Sequence, residues 1–167
     1  MNSHNGDRKY LVTGASGYVG GRLVRALIED KENVRILVRD KNKIMGQPWA
    51  TQVDICEGSA ENFSDLQMAL EGIHTAFYLL HSINLGPNFD EIEREMASNF
   101  AKAAEQAGVS QIIYLGGIAN DVNISKHLAS RAMTGSSLAT TSVAVLELRA
   151  GIIIGSGSAS FEMLRHL

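Results

Sequence analysis

Cysteine is nearly missing from this chain. Cys56 is the only one in 167 residues, so no disulfide can form within it, and a reducing compartment is expected. Proline is almost as scarce, with two, and neither a low-complexity segment nor an internal repeat interrupts the sequence. A basic surplus is absent as well: 15 Lys and Arg stand against 18 Asp and Glu, which argues against a nucleic-acid partner. The most apolar late stretch, VAVLELRAGIII, is broken by Glu147 and Arg149 and so does not span a bilayer. The leading MNSHNGDRK lacks the apolar centre of a signal peptide. A cytoplasmic protein without membrane contact is the expectation. The five histidines show no pairing with Cys56 or with a carboxylate cluster at ligand spacing, and no metal site is expected.

What is present is ordinary for a globular protein, 45% hydrophobic and 20% charged, and the length suits one domain over residues 1–167. Apolar runs rich in β-formers alternate with helical patterns. Strands are predicted at KYLVT (9–13), VRILVR (34–39), TQVDIC (51–56), HTAFYLL (74–80), QIIYLG (111–116) and SVAVLELR (142–149). A helix over 18–30 presents Val19, Leu23, Leu27 and Ile28 on one face. Ser64 is placed to cap a second, with Gln67 completing a capping box and Gly72 as the stop. After Pro87, Phe89, Ile92, Met96, Phe100, Ala103 and Ala107 recur at steps of three and four, up to Gly108. Further helices are expected over 125–139 and from SASFEMLRHL. This alternation predicts a doubly wound α/β fold, a parallel sheet with helices on both faces.

The most informative stretch is VTGASGYVGGRL, residues 12–23, in which Gly14, Gly17 and Gly20 follow a predicted strand and lead into a helix. Ligands of such sheets bind outside the carboxyl ends of the strands, where the strand order reverses. Thr13 delivers the chain to that edge. Glycine allows the tight turn and lets backbone N–H groups approach a phosphate, and the helix that follows points its positive end at the same place. Nucleotide binding is expected here, with Thr13, Gly14, Ser16, Gly17, Tyr18, Val19 and Gly20 around the phosphates.

TGASGYVG, ILVRD and AGVSQIIYLGG together resemble the NAD(P)-binding domain of short-chain dehydrogenase/reductases, and most of all its atypical, NmrA-like branch. The resemblance covers nearly the whole chain and implies a Rossmann-like fold. LELRAGIIIGSGSASFEMLRHL is similar to the segment that, in this branch, leads into a smaller substrate-binding portion. The chain is therefore expected to hold the cofactor domain with that portion largely absent.

About twenty residues beyond the glycines, an acidic side chain suits the ribose diol of NAD and an arginine the 2′-phosphate of NADP. Arg39 and Asp40 stand there side by side. The resemblance favours Arg39 and NADP, with NAD the alternative. Relatives carry Gly-Asp after the third strand, the Asp near the adenine amine; this chain has Ser59 at that position. The resemblance also implies that Leu80 and His81, at the end of the fourth strand, line the cofactor ribose. Gly116 and Gly117 replace the usual serine and allow close approach of the cofactor.

Short-chain dehydrogenases use a tyrosine with a lysine four residues on. Tyr10, Tyr18, Tyr78 and Tyr114 are followed at that spacing by Gly14, Arg22, Ser82 and Ile118, so the pair is missing. On the matching helix, His127 and Arg131 share the four-residue spacing. They are the candidate proton donor and electrostatic partner, against a reading as two polar residues of a helix end. Asn99 is a candidate relay residue by resemblance. Two functions stay open: an NAD(P)-dependent oxidoreductase, epimerase or dehydratase acting on an unknown small molecule, or a regulator or scaffold that binds NADP without turning it over.

Overall fold

A computed structural model describes residues 8–80, 89–118, 126–158, 161–162 and 165–166, apart from the side chains of residues 126 and 127. Strand β1 (Lys9–Thr13) leads into α1 (Tyr18–Glu29), β2 (Asn33–Val38) into the short α2 (Asn42–Met45), and β3 (Asp54–Glu57) into α3 (Phe63–Leu70). Strand β4 (Thr75–Tyr78) is followed by α4 (Phe89–Gln106), β5 (Gln111–Gly117) by α5 (Lys126–Leu138), and β6 (Ala144–Ala150) comes last. All strands pair in parallel, in the order β3-β2-β1-β4-β5-β6. The order reverses between β1 and β4, which opens a crevice at their carboxyl ends.

Alternation along the strands feeds two cores, one on each face. Leu11, Leu37, Ala76, Tyr78, Ile112 and Tyr114 face α3, α4 and α5, where Met96 and Phe100 from α4 and Leu66 and Leu70 from α3 pack on them. Val12, Val34, Ile36 and Val38 face α1 and α2, against Val24 and Ile44. The Tyr78 and Phe100 rings meet edge to face at 5.0 Å, an arrangement that favours aromatic pairs beyond their buried area.

The elements differ from expectation in three places. The third strand begins later, at Asp54, because a 3-10 turn over Ala50–Gln52 anchors buried Trp49 and Ala50 first. Helix α3 is capped by Asn62, whose side chain accepts the Ser64 N–H at 3.0 Å; Gln67 reaches instead to Gln106 on α4, at 3.1 Å. On α1 the buried positions are Gly20 and Val24, with Leu23, Leu27 and Ile28 packed at the margin. The helix expected from SASFEMLRHL starts with Ser158, whose Oγ accepts the Phe161 N–H at 3.1 Å; most of the rest of that stretch lies outside the described residues.

Candidate functional site

The end of β1 turns sharply at Gly14, whose φ of +70° suits glycine. A Cβ there would come within 2.8 Å of the Leu79 carbonyl oxygen, just past the end of β4. The Gly17 N–H donates to the Gly14 carbonyl at 2.9 Å and closes the turn. Gly20, one turn into α1, lies so close to the Gly14 carbonyl and the Ala15 Cα that a methyl group would overlap both. The first glycine makes the turn and the third brings the helix onto the strand. Exposed Gly17, beside exposed Ser16, precedes helix α1, which has no side-chain cap among the described residues and no acidic residue in its first turn. Its leading N–H groups are therefore free to receive an anion.

Two flanking residues have structural work. Buried Thr13 donates its hydroxyl to the Phe77 carbonyl at 3.0 Å and accepts the Leu79 N–H at 3.1 Å, which binds β1 to the end of β4. The Arg22 guanidinium lies over the Tyr18 ring, 4.0 Å from its centroid, and donates to the Ser156 carbonyl at 2.9 Å. The Tyr18 hydroxyl sits against Gly155, which has no side chain to block it. Tyr18 and Arg22 thereby tie the segment after β6 to the start of α1. Half-buried Val19 completes the turn.

At the β2–β3 side of the edge, Arg39 is exposed. Asp40 turns the other way, its Oδ1 accepting the Asn42 N–H at 2.9 Å ahead of α2. The Lys41 N–H donates to Glu57 Oε1 at 3.2 Å, the Lys41 ammonium lies 3.5 Å from Glu57 Oε2, and the Gly58 N–H donates to the Val38 carbonyl at 2.9 Å. These bonds hold the ends of β2 and β3 together. Half-buried Ser59 donates its N–H to Asp65 Oδ2 at 2.8 Å, while its Oγ accepts from the Glu61 N–H at 3.3 Å. Asp65 was not singled out from the sequence. Its local signal is an acid in the first turn of a helix, and no residue spacing reveals that it folds back to β3.

On the other side, Leu80 is half-buried past β4, and His81 lies outside the described residues. Gly116 is buried on β5, where a Cβ would meet the Tyr114 ring and the Glu147 carboxylate. Arg149 pairs with Glu147 at 3.1 Å. His127 and Arg131 lie one turn apart on α5, and the His127 side chain lies outside the described residues. The Arg131 guanidinium donates to the Leu115 carbonyl at 2.8 Å, and Tyr114 donates its hydroxyl to the Arg131 carbonyl at 3.0 Å. Burial pushes the Tyr114 phenol up, with nearby Arg131 opposing it, and burial raises Tyr78 further, aided by the Glu93 charge. Neither buried phenol is poised to exchange protons at neutral pH. Asn99 sits half-buried on α4. Among the described residues no cluster of three metal-ligating side chains occurs, and none of the helices is long and apolar enough to cross a membrane.

A parallel sheet in this order, with a glycine turn and an uncapped helix start at its switch point, defines a Rossmann-type dinucleotide-binding domain. The family model described as NAD(P)H-binding matches residues 14–150, and the chain belongs to that family. The 3-beta-hydroxysteroid dehydrogenase of Mycolicibacterium neoaurum is 33% identical over a 116-residue alignment that covers 64% of this chain and 31% of that one. The triphenylmethane reductase of Citrobacter sp. superposes with a TM-score of 0.74 at 23% identity, over 84% of this chain and 48% of that one; it has also been solved with NADP(H). The Bordetella bronchiseptica enzyme WbmG, solved with NAD, gives a TM-score of 0.71 at 16% identity, over 89% and 55% of the two chains. The chain thus spans about a third of the length of that curated relative and about half that of these solved neighbours. It is an NAD(P)H-binding domain with a Rossmann-type fold.

Proposed function

We propose that this chain is the cofactor-holding part of a reductase, epimerase or dehydratase acting on a small molecule, and that it prefers NADP(H) to NAD(H). The observation that carries the preference is the bond between Asp40 Oδ1 and the Asn42 N–H. That bond turns Asp40 Oδ1 to the start of α2 and leaves only Oδ2 to accept from a ribose diol. Exposed Arg39 beside it offers a planar fork that matches a phosphate with two parallel hydrogen bonds.

The bound nicotinamide supplies hydride transfer; the chain holds and orients it. In this reading the N–H groups of Tyr18 and Val19, at the start of α1 beside Ser16, take the pyrophosphate, at the turn formed by Gly14, Gly17 and Gly20. Arg39 takes the 2′-phosphate, Ser59 lies toward the adenine, and Leu80, His81 and Gly116 flank the nicotinamide half. Thr13 and Tyr18 act from behind as braces. His127 is the proton donor, and Arg131 sets its surroundings from the β5 end. A second reading, binding without turnover, is favoured by the engagement of the Arg131 guanidinium with Leu115 and by the missing tyrosine–lysine pair.

Titration of the chain with NADPH and NADH, followed by cofactor fluorescence, tests the proposal. Arg39→Ala is expected to weaken NADPH roughly 10- to 100-fold, the worth of charged hydrogen bonds, and to leave NADH nearly unchanged. Equal loss for both refutes the role of Arg39, and failure of the chain to bind either refutes the function. NADPH oxidation with a panel of aldehydes, ketones and quinones supports the enzyme; binding without oxidation supports the regulator. Turnover unchanged in His127→Ala removes the proton-donor role.

A further inference from the structure

Strand β6 ends the sheet, paired with β5 on one side and with no strand on the other among the described residues. The Ala150 carbonyl accepts the Ile118 N–H at 3.1 Å, on the β5 side. Backbone groups along a strand point alternately to its two sides, so Leu146 and Leu148 also turn theirs to β5, and Val145, Glu147 and Arg149 turn theirs outward. The side chains alternate as well. Val145 packs on the core beneath α5, and the Glu147 carboxylate lies against Gly135 on that same face. Leu146 and Leu148 stand on the opposite face, 45% and 49% exposed, and join neither core. A seven-residue edge with neither proline nor lysine, and with two leucines in the open, is a template for another strand.

We propose that this strand is β6 of a second copy of the chain, paired antiparallel about a twofold axis at Leu148. Charge selects both the occupant and the register. Charged side chains guard many sheet edges against pairing. Here Glu147 and Arg149 are of opposite sign, stand two residues apart and pair with each other at 3.1 Å. With the axis at Leu148, Glu147 of each copy lies directly across from Arg149 of the other. Both residues turn their backbone groups outward, so these are hydrogen-bonded pairs that also match charge. On the open face Leu148 meets Leu148 of the second copy, and Leu146 lies across from the small Ala150. Moving the axis to Glu147 would set that carboxylate against its own counterpart, like charge against like. The edge is thus self-complementary, as a twofold contact requires. Strands β4 and β5 separate it from the crevice beside β1, so assembly does not depend on the cofactor.

Sedimentation velocity on the full chain without cofactor, over a concentration series, tests the proposal, and a dimer that dissociates on dilution is expected. Arg149→Glu sets carboxylates across from each other on both sides of the axis, and Leu148→Lys puts two ammonium groups on it. Each should weaken the dimer about tenfold. Both side chains are exposed, so the fold should hold, with circular dichroism as the check. A disulfide reads the register. In a Cys56→Ser background, Leu148→Cys should crosslink two copies on oxidation, since residues across a non-hydrogen-bonded pair lie about 4.5 Å apart at Cα, within disulfide reach. Leu146→Cys should not, because its counterpart lies four residues along the pair, about 13 Å away. A monomer at every concentration, a dimer that both charge substitutions leave intact, or crosslinking of Leu146→Cys as readily as Leu148→Cys overturns the proposal.

Discussion

The Tyr114 hydroxyl lies 3.0 Å from the Arg131 carbonyl oxygen and donates to it, while the Arg131 guanidinium returns a bond to the Leu115 carbonyl at 2.8 Å. Helix α5 is thereby stitched to β5 at the edge where a cofactor would lie. Arg131→Met keeps the apolar stem and removes the donor, and Tyr114→Phe removes the other bond. Expected losses in urea unfolding are about 2 kcal/mol for the charged donor and about 1 kcal/mol for the phenol. NADPH affinity should hold within about threefold in Tyr114→Phe, because a bond between helix and strand reaches the cofactor only indirectly. A tenfold loss of affinity there, with stability intact, would instead make this pair part of the binding surface.

Gly20 and Gly21 are neighbours on α1 with opposite expectations. A methyl on Gly20 meets the Gly14 carbonyl and the Ala15 backbone, neither of which can rotate away. The cost of overpacking, about 2–3 kcal/mol, exceeds the gain in helix propensity of about 1 kcal/mol. A methyl on Gly21 finds only the Ala15 carbonyl oxygen, at 3.4 Å, and the propensity gain decides the sign. Gly20→Ala should lower the melting temperature and abolish NADPH binding, since it lifts α1 from the turn. Gly21→Ala should be neutral or stabilising and bind as before.

The glycine turn was readable from the sequence because its cause is local: the spacing of Gly14, Gly17 and Gly20 dictates one turn and one contact between helix and strand. Apolar runs likewise revealed all six strands to within three residues at either end. Asp40, Asp65 and Arg131 were not readable in the same way. Each carries an ordinary charged side chain whose role depends on which partner captures it: the Asn42 N–H, the Ser59 N–H or the Leu115 carbonyl. Asn62 takes the cap expected of Ser64 for a similar reason, since two capping residues two positions apart compete and local backbone geometry selects one.

Asp54 bonds to both Lys9, at 2.7 Å, and Arg35, at 2.8 Å, and these two partners hold its carboxyl below the ordinary 3.8. Between its lowered folded value and that ordinary value, the unfolded chain binds the proton and the folded chain does not. Stability from this group is therefore complete above about pH 5 and is lost as pH falls through the folded value. Asp54→Asn should reduce stability at neutral pH and flatten the acid limb of the stability profile below pH 4, read from urea midpoints at a series of pH values. Parallel acid limbs in the two proteins would show that the ion pairs contribute nothing. Arg35 has a second task, donating from Nη1 to the carbonyls of Met68, Ala69 and Glu71 at the end of α3. Arg35→Ala should accordingly cost more than Asp54→Asn at neutral pH.

Thr13 separates a brace from a ligand contact. Its hydroxyl is fully buried and bonded on both sides, to the Phe77 carbonyl and the Leu79 N–H. Thr13→Val preserves shape and removes both bonds, leaving a donor without a partner at the end of β4, at a cost of about 2 kcal/mol. The Leu79 carbonyl is also what Gly14 rests against, so a loosened end of β4 disturbs the floor of the glycine turn. Stability and NADPH affinity should therefore fall together in Thr13→Val, and Thr13→Ser, which restores the hydroxyl without the methyl, should recover most of both. A hydroxyl that touched the cofactor directly would behave differently: affinity would fall while the urea midpoint stayed in place. The two observables moving in step would mark Thr13 as a residue that shapes the cradle from beneath.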